Sequence, residues 1–518
     1  MTATNSILFY TAIVVALLAI LLLSSFSKLN AYLRHAILAA DIPGPSGWFL
    51  IGQLPILTKG PQQCLNCLTK IYRKYEMGPF KLWLGPYLCV FVTRPEHIKV
   101  LLNHNKALKK GILYSSARDS FVSKSLGVNN DLVTWKNHRK EVTKCFSRAH
   151  LKTYIEIAAE QANVVCEKFV RDRHPESDEC EVSAPFFNMT MDNMLTSVFG
   201  ADNRRKDESE RQMIESIGTS VQIMAYRVFN PWYMSNTIFR LSALNKIEKN
   251  ARKMIHAHAD SLIKTINAKW RRNTNDGEVE NDEKDNYSVK PATMVETLLA
   301  NRSDMTLDDI RREAVFLLMA GRDTSAFTNS CVLFRLSHHQ DVQNKVFDEQ
   351  TAIFSTGDPH RRPSYEDLTK MEYLERVINE TLRLHTPIAV ITRRVEEDIL
   401  IDGKLLPAGA TAFFSIRDLH KSPLHYRDPE KFDPDNFSPE RCDDRHPYAF
   451  MPFSGGLRSC IAHNSAMLQL KTTVSTVVRR NRILASEKYP TVDHLEFKHT
   501  LPTTFQNGCF VKIRPRKL

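Results

Sequence analysis

Little in this chain suits a nucleic-acid binder, a repeat array or a disulfide-stapled secreted domain. It has no zinc-finger ligand spacing and no Gly/aromatic recognition box, so nucleic acid is only the runner-up partner class for its formal charge of +12. A basic balance of that size favours acidic partners or an anionic membrane surface and says nothing about fold. No internal repeat is visible in 518 residues, so a repeat array is excluded. Ten cysteines in so long a chain do not form a disulfide framework. Cys64-Leu-Asn-Cys67 is a lone C-x-x-C without a second pair for zinc, and it reads as two reduced thiols. Hydrophobic content of 43% is ordinary for a globular protein.

Charge is missing altogether from Ile7 to Phe26, a run long enough to cross a hydrocarbon core as a helix. The residues before it are also uncharged, unlike the start of a signal peptide, and Lys28 and Arg34 follow it. The positive-inside rule then puts the rest of the chain in the cytosol, where the sequon Asn188-Met-Thr190 would stay unglycosylated. Ile42-Pro-Gly-Pro45 makes a stiff hinge. The expected organisation is an anchor at 1–27, a basic linker and Pro-rich hinge at 28–47, and one catalytic body at 48–518. Phe80 to Val92, broken by Gly85-Pro86, reads as a hairpin. Helical runs are expected around 133–148, 150–170, 208–225 and 238–270, with further runs at Leu307–Leu336, Met371–Leu384 and His463–Val478. Short strands are expected near Ala389–Val395 and Thr411–Ser415. Asn273 to Asp285 is polar and nearly free of large apolar residues, and reads as an exposed loop.

The most informative stretch is Phe453-Ser-Gly-Gly456-Leu-Arg458-Ser-Cys460-Ile-Ala462. A thiolate needs positive surroundings to stay deprotonated and bind a metal. Arg458, the N–H groups of a Gly-rich turn and the start of a helix would supply them. Upstream, Glu380-Thr-Leu-Arg383 places a carboxylate and a guanidinium on one helix face. Ala320-Gly321-Arg322-Asp323-Thr324-Ser325 sits midway along a helix opened by the capping box Thr306-x-x-Asp309. A glycine and a Thr hydroxyl competing for the i−4 carbonyl can loosen a helix there. Trp135 and Arg139 form an i,i+4 pair.

These motifs, in this order, resemble those of the cytochrome P450 superfamily of haem-thiolate monooxygenases. The resemblance implies an α-rich α+β fold, a large helical body with a minor β region, here preceded by one N-terminal transmembrane helix. It implies haem b as cofactor with Cys460 as the axial thiolate and iron ligand, a ligand that favours O–O cleavage. Phe453 belongs to the same cofactor-binding loop. Trp135, Arg139, Arg393 and Arg458 would hold the haem propionates through charge-assisted hydrogen bonds. Thr324 would hydrogen-bond the bound dioxygen, with Asp323 beside it as proton relay.

Two positions depart from the family pattern. Asn436 stands in Phe432-Asp-Pro434-Asp-Asn436-Phe437 where an arginine is expected beside Glu380. An amide can hydrogen-bond Glu380 but carries no charge and no bidentate fork. Ala462 replaces the last glycine of the cysteine motif. The segments Arg393 to Gly403, His446 to Phe453 and Ala466 to Lys471 resemble animal members of family 4, insect enzymes included, although Ala320 replaces a glutamate that many of them carry. The resemblance implies an apolar substrate such as a fatty acid, hydrocarbon, hormone or foreign compound. It also implies electrons from NADPH–cytochrome P450 reductase, cytochrome b5 as a further candidate donor, and residence in the endoplasmic reticulum membrane. A haem-thiolate isomerase or dehydratase and a diverged, non-catalytic haem-binding protein stay open as alternatives.

Overall fold

The computed structural model describes residues 29–201, 208–275, 292–300 and 305–516. The span Ile7–Phe26 and most of the loop expected over Asn273–Asp285 lie outside the described residues. Among the described residues no helix is long and apolar enough to cross a membrane.

The longer helices, in chain order, are α1 (Pro61–Lys74), α2 (Leu132–Lys144), α3 (Arg148–Asp172), α4 (Ser183–Phe199), α5 (Glu208–Phe229), α6 (Ala243–Asn275), α7 (Leu307–His338), α8 (Gln340–Ile353), α9 (Glu372–Leu384) and α10 (His463–Arg480). Each helix expected from the sequence is present within a few residues. Helices α4 and α8 were not foreseen, and α6 continues to Asn275, into the first residues of the expected loop.

Helix α7 begins where the sequence says it should. The Thr306 hydroxyl accepts from Asp309 N–H, and the Asp309 carboxylate accepts from Thr306 N–H at 3.0 Å. It stays helical through Gly321, and the Thr324 hydroxyl donates to Ala320 O at 2.9 Å, so the expected side-chain bond forms without breaking the helix. Helix α4 lies flush on α7 at Gly321, where a Cβ would meet Met194 Sδ at 2.5 Å. A side chain at 321 would have to displace the Met194 thioether.

The largest sheet of the minor β region has five strands ordered β1-β2-β5-β4-β3, with β1 Phe80–Leu84, β2 Tyr87–Phe91, β3 Lys109–Lys110, β4 Val390–Arg394 and β5 Thr411–Ser415. β1 and β2 form the expected antiparallel hairpin about Gly85, whose φ is +63°. β2 runs parallel to β5, and β3 pairs Lys110 with Arg393 of β4. That register brings two cations from distant parts of the chain together.

One apolar cluster joins Leu126, Trp135, Met194, Ala314, Val315 and Leu318, and Ile461, next to Cys460, packs against it. The cysteine loop, α2, α4 and α7 therefore share one core.

A candidate haem-thiolate site

The cysteine loop owes its shape to glycine. Gly456 has φ +65°, and a Cβ there would sit 2.2 Å from the Leu102 carbonyl oxygen. No L side chain fits both constraints. The turn is closed by Cys460 N–H donating to Phe453 O at 2.9 Å. Phe453 stacks on His463, with centroids 4.1 Å apart, and so ties the loop to the first residue of α10. Ala462, in place of the family's glycine, holds an ordinary φ of −94°, so the methyl group adds no backbone strain.

Cys460 keeps open surface yet protein surrounds it, which places it in the wall of an internal recess. Burial pushes its thiol above the ordinary value, and the Ala462 N–H and the Arg139 charge pull the other way. The N–H and the cation offset only part of that burial cost, so the thiol form is favoured until a metal contributes.

Arg139 donates to Ser459 O at 3.0 Å, one residue from the cysteine. Its guanidinium lies 5.9 Å from the Trp135 ring centroid, and that of Arg458 lies 4.4 Å from the same ring. Arg458 donates to three backbone carbonyls, Leu108 at 2.8 Å, Leu126 at 3.2 Å and Asn129 at 2.9 Å. Burial pushes its pKa down to about 9, helped by Arg393 and Arg139. Arg393 is 1% exposed, and its Nε and Nη2 have no hydrogen-bond partner. Lys110 is driven well down by burial and by Arg393, Arg458 and Arg139.

Four cations therefore converge with no carboxylate acting on any of them among the described residues. Unpaired buried charge is expensive. A group bringing two carboxylates, such as the propionates of a haem, would relieve it. The Arg393 guanidinium, whose Nη1 donates to Thr392 O at 3.0 Å while Nε and Nη2 stay unpartnered, the recessed thiol and the Gly456 turn all fit that group. Lys110 belongs to this set although no sequence motif marked it, because the β3–β4 register, which only the fold supplies, sets it beside Arg393. Tyr114, in the turn after β3, also interacts with Arg393.

On α7, Thr324 is half-buried and bonded to Ala320 O. Asp323 is buried and accepts from its neighbour Arg322 Nε at 2.6 Å. Arg322 in turn lies 4.1 Å over the Phe187 ring of α4.

Behind the site, Glu380 is fully buried and accepts two bonds from Arg383, at 2.7 and 2.8 Å. Asn436 Nδ2 donates to the same carboxylate at 3.2 Å, so the amide does replace one bond of the expected arginine. Arg441 donates to Asn436 Oδ1 at 3.4 Å and to Asp433 at 2.8 Å. It sets a cation five residues beyond the expected position.

Comparison with known proteins agrees with this geometry. The cytochrome P450 family model matches residues 42–505. A Blattella germanica protein named cytochrome P450 4c21 is 30% identical over 459 residues, covering 86% of this chain and 88% of its own. The Rattus norvegicus cytochrome P450 4F4 is 28% identical over 488 residues, covering 92% and 90%. The crystal structure of the cytochrome P450DA heme domain superposes with a TM-score of 0.76 at 19% identity, over 92% of this chain and 98% of that one.

Proposed function

Since this chain belongs to the cytochrome P450 family, in its family 4 branch, and is a haem-dependent monooxygenase, we propose that it hydroxylates an apolar substrate while anchored to the endoplasmic reticulum membrane. Haem, when bound, supplies the dioxygen activation that C–H insertion needs. The residues of this chain do the rest. Cys460 would supply the thiolate that holds the haem iron, and Phe453 holds its loop against α10. Arg139, Arg393 and Arg458, with Trp135 between two of them, take the propionates. Thr324 and Asp323 hold and pass protons on the α7 side. The observation that carries this reading is the convergence of four uncompensated cations beside a recessed cysteine.

An apolar substrate is supported by a cavity of about 90 Å³ lined by Leu82, Phe91, Leu113, Phe229, Val390 and Phe413. Gln53 also borders it, but its amide is used by Pro45 O and Trp83 N–H. Such a lining favours apolar ligands.

The membrane reading is supported by the uncharged run Ile7–Phe26 and by exposed apolar side chains just after it. Ile37 is 73% exposed, and Trp48 and Phe49 are each 74% exposed. A cytosolic catalytic body implies NADPH–cytochrome P450 reductase as electron donor, with cytochrome b5 as a second.

The test is NADPH consumption by the purified pair, scored against oxidation of fatty acids, hydrocarbons, steroids and terpenoids. NADPH-dependent hydroxylated product is expected. Conversion without NADPH would indicate an isomerase or dehydratase, and neither consumption nor product would indicate a haem-binding protein.

A further inference from the structure

A buried polar chain ties α7 to the cysteine loop. Glu313 of α7 is 0% exposed. Both its oxygens accept from Leu126 N–H at 3.0 Å, and Oε1 lies 2.8 Å from His138 Nδ1. His138 is buried on α2, directly before Arg139, and its Nε2 stands 3.9 Å from Asp309. The far side of the same Leu126 residue accepts from Arg458 Nη2 at 3.2 Å. One carboxylate thus fixes the helix that carries Arg139 and also the loop whose carbonyls hold Arg458. Burial pushes the Glu313 carboxyl up, while the His138 bond and the Leu126 N–H hold it down. His138 is raised by Glu313 against its own burial. A buried carboxylate is retained only where such partners are satisfied.

We propose that Glu313 and His138 are positioning residues for the haem pocket, acting through the α2 helix on Arg139 and through Leu126 on Arg458. The proposal rests on reading those two arginines as propionate partners. Outer partners of a bound metal group typically change its retention by about 10–100-fold when removed.

The experiment measures haem transfer from the holoprotein to excess apomyoglobin. Glu313→Leu and His138→Ala should release haem at least tenfold faster than wild type, whereas Glu313→Gln, which still accepts from Leu126 N–H, should keep most of the wild-type rate. If Glu313 acts through Arg458, then Glu313→Leu combined with Arg458→Ala should release haem little faster than Arg458→Ala alone. A general loss of packing would instead multiply the two effects. Where Glu313→Leu fails to fold, His138→Ala combined with Arg139→Ala carries the corresponding comparison, since His138 acts through α2 on Arg139. Wild-type release rates in Glu313→Leu and His138→Ala, or multiplicative effects in the double variant, would overturn the proposal. Slow release from Arg139→Ala and Arg458→Ala themselves would instead sink the reading of those arginines.

Discussion

Asn436 offers a quantitative test of how this chain manages without the arginine its family uses. Glu380 is fully buried, and burial pushes its carboxyl up against the pull of Arg383, the Asp433 N–H and the Asn436 amide. Asn436→Ala deletes one donor at 3.2 Å and leaves the two Arg383 bonds and the Asp433 N–H at 2.9 Å. Hydrogen bonds to charged groups are worth about 1.5–3 kcal/mol, and the long distance puts this one at the lower end. Arg383→Ala is different in kind. It strips the buried carboxylate of its cation and should cost about 3–5 kcal/mol, besides losing the bonds to His420, Pro429 and Lys431 carbonyls. Restoring the family arginine by Asn436→Arg should not stabilise the protein, because Arg441 already senses Glu380 and Arg445 donates to Asn436 O at 2.9 Å. In an Arg441→Ala background the same change should become favourable, with a coupling of about 1 kcal/mol or more between the two positions. Denaturant unfolding of the four proteins at matched haem content reads this directly. Additivity within about 0.3 kcal/mol would refute the idea that Arg441 stands in for the missing charge.

Thr324→Ala should leave haem content intact, because the lost bond to Ala320 O is an i−4 bond that contributes little to helix stability. Product formed per NADPH should fall, by up to about 10²-fold, with peroxide in its place; an unchanged ratio would end Thr324's catalytic role. Deleting residues 1–27 should turn much of the protein from integral to peripheral, the exposed Trp48 and Phe49 retaining part of it on membranes. Full resistance of the truncated chain to alkaline carbonate would show that the span is not the main anchor. His420 is fully buried, and burial, then Arg383, lowers its pKa from 6.5 to about 3. Its folded pKa lies below the unfolded one, so its contribution is complete above pH 6.5 and is lost as pH falls towards 3. His420→Gln, which can still accept from Met451 N–H, should flatten the fall in unfolding free energy between pH 7 and 4, and an identical slope would contradict this.

The motifs were legible because each is a local spacing whose chemistry survives without knowing the fold. The Thr306 cap, the Gly456 turn and the Glu380–Arg383 pair are all of this kind. Helix α4 was not legible. Phe186, Met191, Leu195 and Val198 are buried together with Thr190 and Asn193, and a helix buried on most sides shows no amphipathic period. The cation cluster was legible only in part. Arg139, Arg393 and Arg458 stood in motifs, but Lys110 joins them through strand register and Tyr114 through the turn that follows. Glu313 and His138 are 175 residues apart, and nothing in either neighbourhood announces the other. Arg441 likewise becomes a substitute for the arginine missing at 436 only once the chain has folded around Glu380.

The account turns on Cys460 as the ligand of the haem iron. The direct measurement is the absorption spectrum of the reduced, carbon-monoxide-treated protein, wild type against Cys460→Ala. Wild type should show the red-shifted Soret band of a thiolate-ligated haem, and the variant should lose it even where some haem stays bound by Arg139, Arg393 and Arg458. The same red-shifted band in Cys460→Ala would contradict the account.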